Sequence, residues 1–150
     1  MLNLIYKGDV LDILYALLNT LLVLQLLYVC YSDIRYRTIS NKFIITIALN
    51  TVTLGFTTNH GINMIMPLSA LLIGYSIFYF NLIGGGDVKL ITALLFSLTT
   101  SQSLDFILYT AMMGGVVMII GIMINRKDIQ QRGVPYAVAI SAGFFLSLII

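Results

Sequence analysis

The chain has 150 residues, of which 59% are hydrophobic and 9% charged; its net charge is +2 and its mean hydropathy +1.00. Soluble domains carry roughly 25% charged residues, so this composition excludes an ordinary water-soluble domain. The apolar residues fall in blocks, without the roughly ten-residue alternating segments of a transmembrane barrel.

That pattern predicts an all-α integral membrane protein, a single domain spanning 1–150 built as a bundle of about six transmembrane helices. The apolar runs are residues 10–31, 43–57, 62–80, 88–98, 104–124 and 134–150. The second and fourth are shorter than the roughly 20 residues of a full crossing. In the first run, Cys30 reads as a small buried hydrophobe, since a lone cysteine can form no internal disulfide and no multi-cysteine zinc site. Asn19 and Gln25 in the same run are expected to bond to neighbouring helices. The Gly114–Gly115 pair of the fifth run suits close helix packing. His60 falls in a loop without a partner cluster, which argues against a metal role. Nothing in the pattern calls for a nucleic-acid partner or a cofactor; the lipid bilayer is the expected surrounding.

The charges set the orientation. Arg35, Arg37 and Lys42 follow the first run, Lys89 follows the third, and Arg126, Lys127 and Arg132 follow the fifth, leaving only Lys7 for the opposite side. By the positive-inside rule these three loops face the cytoplasm and both termini are external. Asp33, Asp87 and Asp128 then share the cytoplasmic side, whereas Asp9, Asp12 and Asp105 are external.

Two aspartates stand at the ends of apolar runs: Asp33 in YSDIRYRTISNK and Asp87 in LIGGGDVKL. A carboxylate is costly to bury beside a bilayer, so two in similar settings mark candidate chemistry. Gly84 to Asp87 forms a Gly-x-Gly-Asp pattern, which points to an intramembrane aspartyl peptidase. Hydrolysis by two carboxylates needs an unequal pair, one ionised to take a proton from water and one protonated to donate to the scissile carbonyl. Gly84, Gly85 and Gly86 permit close backbone approach and set Asp87 near a helix N-terminus, whose dipole favours a carboxylate. Plainer readings stand beside these. The glycines could form a simple turn, Asp33 could pair with Arg35 or Arg37 at the surface, and Lys89 could merely obey the positive-inside rule.

Three segments together carry a resemblance. YSDIRYRTISNKF resembles the first active-site segment of the type IV prepilin peptidases, GGGDVKL the second, and GVPYAVAISAG the Pro-Tyr/Phe helix near the family's C-terminus. The resemblance implies a six-helix aspartyl peptidase that cuts a short basic leader from pilin-like or archaellin-like precursors at the cytoplasmic membrane face of a prokaryote. Asp33 and Asp87 match the two catalytic aspartates, Gly84 and Gly86 the motif glycines, Lys89 the following lysine, and Pro135 with Tyr136 a structural segment near the site. The implied mechanism uses neither metal nor covalent intermediate. Ser40 departs from the proline many members carry before the asparagine. The paired Cys-x-x-Cys segment of the long enzymes is missing, so the chain is similar to the short members serving Flp-type pili or to archaeal enzymes, and the accompanying N-methylation is left open. Two other classes fit parts of the pattern: a small proton-coupled carrier, and a non-catalytic component of a pilus or secretion machine.

Overall fold

The computed structural model describes residues 2–58 and 63–149. The side chains of residues 2–9 and 128 are not among those described, so the expectations for Lys7, Asp9, His60 and Asp128 lie outside the described residues. The described residues form helices and no strands, in the order α1 (Leu2–Tyr36), α2 (Asn41–Thr57), α3 (Ile65–Tyr79), α4 (Gly85–Leu95), α5 (Thr100–Arg132) and α6 (Tyr136–Ile149). Each helix overlaps one of the apolar runs read from the sequence; α1, α2 and α5 cover theirs, and α3, α4 and α6 cover part.

Two stretches, Val10–Tyr36 in α1 and Thr100–Lys127 in α5, are long and apolar enough to cross a membrane. At 1.5 Å per residue a 27-residue helix reaches about 40 Å, against a hydrocarbon core of about 30 Å. The outward faces are as apolar as the inward ones. On α3 only Pro67 is buried, while Leu72 is 71% exposed. A helix that is apolar all round belongs inside a protein or against lipid.

α4 packs against α2, α3 and α6, and α6 against α1, α4 and α5. The core therefore runs through α1, α2, α4 and α6, with α3 and α5 on the flanks. Leu22, Leu26 and Val29 of α1 form one buried stripe at helical spacing, facing Ile47, Leu90, Leu94 and Ile140 from the neighbouring helices. Polar side chains stitch the same faces together. Thr51 Oγ1 donates to the Ala93 carbonyl of α4 at 2.6 Å, and Asn50 Nδ2 donates to Gln25 Oε1 and to the Leu18 carbonyl, each at 3.1 Å. Gln25 thus meets a neighbouring helix as expected. Asn19 does not: its Nδ2 donates to the Tyr15 carbonyl of its own helix at 2.8 Å, the position one turn back.

α4 is only 11 residues long, about 16 Å. Its brevity is tolerable because protein surrounds it: Leu90, Leu94 and Leu95 are fully buried, so its ends need not meet lipid. The turn after it leads into α5 through a capping box, in which Thr99 Oγ1 accepts from the Gln102 N–H and Gln102 Oε1 accepts from the Thr99 N–H. α5 breaks at Asn125 (φ −152°, ψ 84°), directly after the apolar run ends at Ile124. The basic segment beyond folds back so that Ile129 lies on Gly121, where a Cβ would stand 2.7 Å from Ile129 Cδ1.

Candidate active site

The buried stripe of α1 at residues 22, 26 and 29 continues one turn on to Asp33, which is why this charged residue at the end of an apolar run points inward and is 7% exposed. α1 extends to Tyr36, past the last residue of the apolar run, because main-chain hydrogen bonding continues regardless of side-chain polarity. The chain then reverses with Arg37 in the left-handed region (φ 54°), and Ser32 Oγ donates to the Thr38 carbonyl at 2.9 Å. Asp33 Oδ2 accepts a hydrogen bond from the backbone N–H of Ala137, in the first turn of α6, at 2.9 Å. That N–H is among the donors that a helix N-terminus leaves without an intrahelical partner.

Asp87 lies in the first turn of α4, with Gly84 at the N-cap in an extended conformation (φ −69°, ψ 140°). Along α4, Asp87, Ile91 and Leu94 share a face at helical spacing, so the carboxylate continues an apolar stripe as Asp33 does on α1. The glycines have different tasks. A Cβ on Gly84 would stand 2.8 Å from Asp87 Oδ2, and one on Gly86 would stand 3.3 Å from Ile39 Cβ. Gly84 makes room for the carboxylate, and Gly86 lets α4 meet the segment that follows Asp33. Lys89 joins the same two segments, donating from Nζ to Asn41 Oδ1 at 3.0 Å. Its ammonium is committed to that amide at the exposed rim.

The two carboxylates interact through space: the charge on Asp33 acts on Asp87, and the Arg37 guanidinium acts on Asp33. Asp33 is buried, so its interaction with Arg37 is not one between two exposed surface charges. A cavity of about 200 Å³ opens beside Asp87, lined by Ile83, Ile91, Phe106, Ile107, Thr110, Ala111 and Tyr136. Its walls are apolar apart from the carboxylate, the threonine and the tyrosine. Tyr136 lies across Gly114 of α5, where a Cβ would meet its ring at 3.4 Å. It forms one wall of the cavity, and the next residue, Ala137, holds Asp33. The start of α6 thus touches the surroundings of both aspartates. Pro135 itself lies beside Arg37 and Ile34, on a second cavity of about 320 Å³.

Cys30 is half-buried and sits one turn before Asp33, with Sγ 3.2 Å from Ser141 Oγ of α6. Asp12 is exposed and far along α1 from this end. Of the glycine pair in α5, Gly114 meets Tyr136, while a Cβ on Gly115 would find nothing within 4 Å. Among the described residues, His, Cys, Asp and Glu side chains form no group of three that could hold a metal ion. Several site residues carry no sequence signal: the Ala137 N–H is a backbone group, and Phe106, Ile107 and Thr110 are lost within an apolar run. Asn41 stands in the first motif and is legible as a motif residue, but not as the partner of Lys89.

A model of the type IV leader peptidase family matches residues 20–119, about two thirds of the chain. The match contains Asp33, Gly84, Gly86, Asp87 and Lys89, and ends before Pro135 and Tyr136. No curated protein and no solved structure matches the chain.

Proposed function

The chain belongs to the type IV leader peptidase family, and from that premise we propose that it is a membrane aspartyl endopeptidase with Asp33 and Asp87 as its catalytic pair. The observation that carries this reading is the electrostatic interaction of two carboxylates 54 positions apart in sequence. Asp33 stands near the end of α1 against the start of α6, and Asp87 stands in the first turn of α4 beside a cavity. Two carboxylates so placed share one proton, because both cannot ionise cheaply. One activates water towards the scissile carbonyl while the other protonates the carbonyl oxygen. Gly84 and Gly86 allow the carboxylates to approach, Lys89 holds the two motif segments together through Asn41, and Pro135 and Tyr136 start the helix on which Asp33 rests.

In this reading the 150 residues form one membrane domain of six crossings. The basic ends of α1 and α5, joined by Arg132 Nη2 donating to the Arg35 carbonyl at 3.2 Å, face the cytoplasm, and both termini are external. The substrate is a prepilin-like or archaellin-like precursor. Its apolar helix lies in the bilayer of the prokaryotic cytoplasmic membrane, and its short basic leader emerges beside the aspartates. A proton-coupled carrier would need its carboxylates along a path through the bilayer; here they sit together at the helix ends.

The test is reconstitution of the chain in liposomes with a peptide joining a short basic leader to an apolar helix. A single cut directly after the leader, located by mass spectrometry, is expected. A peptide left intact by well-folded protein would contradict the proposal.

A further inference from the structure

The two aspartates meet unlike surroundings. Asp33 Oδ2 takes the Ala137 N–H at 2.9 Å, at the positive end of the α6 dipole, and the Arg37 charge acts on the same carboxylate. Burial of Asp33 works against its charge, and the hydrogen bond and the nearby opposite charge work against that burial. Asp87 borders a cavity whose other walls are largely Ile83, Ile91, Phe106 and Ile107, and burial opposes its ionisation.

We propose that the start of α6 makes the pair unequal, with Asp33 as the ionised base and Asp87 as the protonated acid. This rests on the peptidase reading of the same site and adds the location of the shared proton, with the Ala137 N–H as a positioning group.

Other groups facing the pair do not reverse the order. Asp87 has the favourable dipole of α4 and a backbone contact at Gly84, while Asp33 sits at the unfavourable end of α1. These are partial charges of roughly half a unit at each helix end. They are set against a full positive charge near Asp33, whereas the repulsion between the two carboxylates acts on both alike. Lys89 is engaged with Asn41, and the Cys30 thiol faces Ser141 and the Ala137 carbonyl.

The chemistry then runs in one direction. Asp33 takes a proton from water as its oxygen bonds to the peptide carbon, and Asp87 gives its proton to the carbonyl oxygen. In the resulting diol the C–N bond breaks as Asp33 passes its proton to the leaving nitrogen. Asp87 recovers a proton from one hydroxyl, leaving an acid and an amine.

The experiment is infrared titration of the full chain in lipid nanodiscs, comparing Asp33→Asn, Asp87→Asn and the double variant. Subtracting the double variant from each single one isolates the carboxyl band of the remaining aspartate. Asp33 is expected to lose its proton at least about one pH unit below Asp87. Adding Ala137→Pro, whose ring removes the N–H while remaining compatible with a first helical turn, should raise the Asp33 midpoint and leave that of Asp87 in place. Coincident or reversed midpoints overturn the assignment, and so does an Asp33 midpoint indifferent to Ala137→Pro in a variant that remains folded. The order of the two midpoints is measured without any change at Ala137, so a folding failure there does not remove the test. Precursor cleavage on the same preparations separates the two ideas. If both single variants are inactive but the midpoints are reversed, only the proton assignment falls. If either still cuts, the peptidase reading falls and takes the assignment with it.

Discussion

Asp33 Oδ2 and the backbone N–H of Ala137 are 2.9 Å apart, a hydrogen bond between residues 104 positions apart in the chain. It fixes the end of α1 on the beginning of α6, and α6 in turn packs against α4, where Asp87 resides. A third helix therefore helps to set the position of one carboxylate relative to the other, beside the direct tie from Lys89 to Asn41. That helix lies outside the stretch matched by the family model, so the C-terminal segment completes a site whose charged residues all precede it.

Gly84→Ala would put a Cβ 2.8 Å from Asp87 Oδ2, so the carboxylate must move. A shift of about 1 Å in a reacting group costs on the order of 10²-fold in rate, and cleavage should fall by that order while membrane insertion is retained. Gly86→Ala meets Ile39 Cβ at 3.3 Å, a contact that a few tenths of an ångström relieve, and should cost less. Initial rates for the two variants check the order; equal rates for Gly84→Ala and wild type would remove the steric account of that glycine.

The Lys89–Asn41 hydrogen bond is exposed, and bonds to charged groups contribute about 1.5–3 kcal/mol at most, less where water competes. Lys89→Met should lower cleavage several-fold without abolishing it, and Lys89→Arg should recover most of the loss. A complete loss in Lys89→Met would show that the ammonium acts on the substrate or the pair, and not as a tie between loops.

A Cβ on Gly143 would stand 2.6 Å from the Thr110 backbone nitrogen, and backbone cannot yield as a flexible side chain does. Gly143→Ala should destabilise the α5–α6 contact by about 1–3 kcal/mol, read as a lower unfolding temperature in detergent. Gly115→Ala, with nothing within 4 Å of its Cβ, should be nearly neutral. A reversed order would mean that the two helices do not pack along this face.

Cleavage should be bell-shaped in pH. Falling pH protonates the base and rising pH strips the acid, so activity needs the singly protonated pair. Cleavage of one precursor across the pH range checks this, and a rate that rises to a plateau and holds towards alkaline pH would point to a single general base.

Much of the helical layout was legible because apolar runs report lipid-facing and buried surface alike; the break at Asn125, which falls directly after the run ending at Ile124, was not read as a break within a continuing helix. The two aspartates were legible for the opposite reason, as charges where charge is costly. What was not legible depends on contacts distant in sequence or made by the main chain. The Ala137 amide has no side-chain signature, and the tie from Lys89 to Asn41 spans 48 positions. Gly114 and Gly115 look alike in sequence, yet only the first faces Tyr136. Asn19 and Gln25 also read alike, but one turns back on its own helix and the other crosses to α2.

The most direct test of the account is co-expression of the chain with a candidate pilin-like precursor, comparing wild type with Asp33→Asn and Asp87→Asn by precursor size and cleavage site. The account predicts a single cut after the basic leader by wild type. It also predicts a loss of at least about 10²- to 10⁴-fold in each variant, both inserted as well as wild type. Undiminished cleavage by either inserted variant would contradict it.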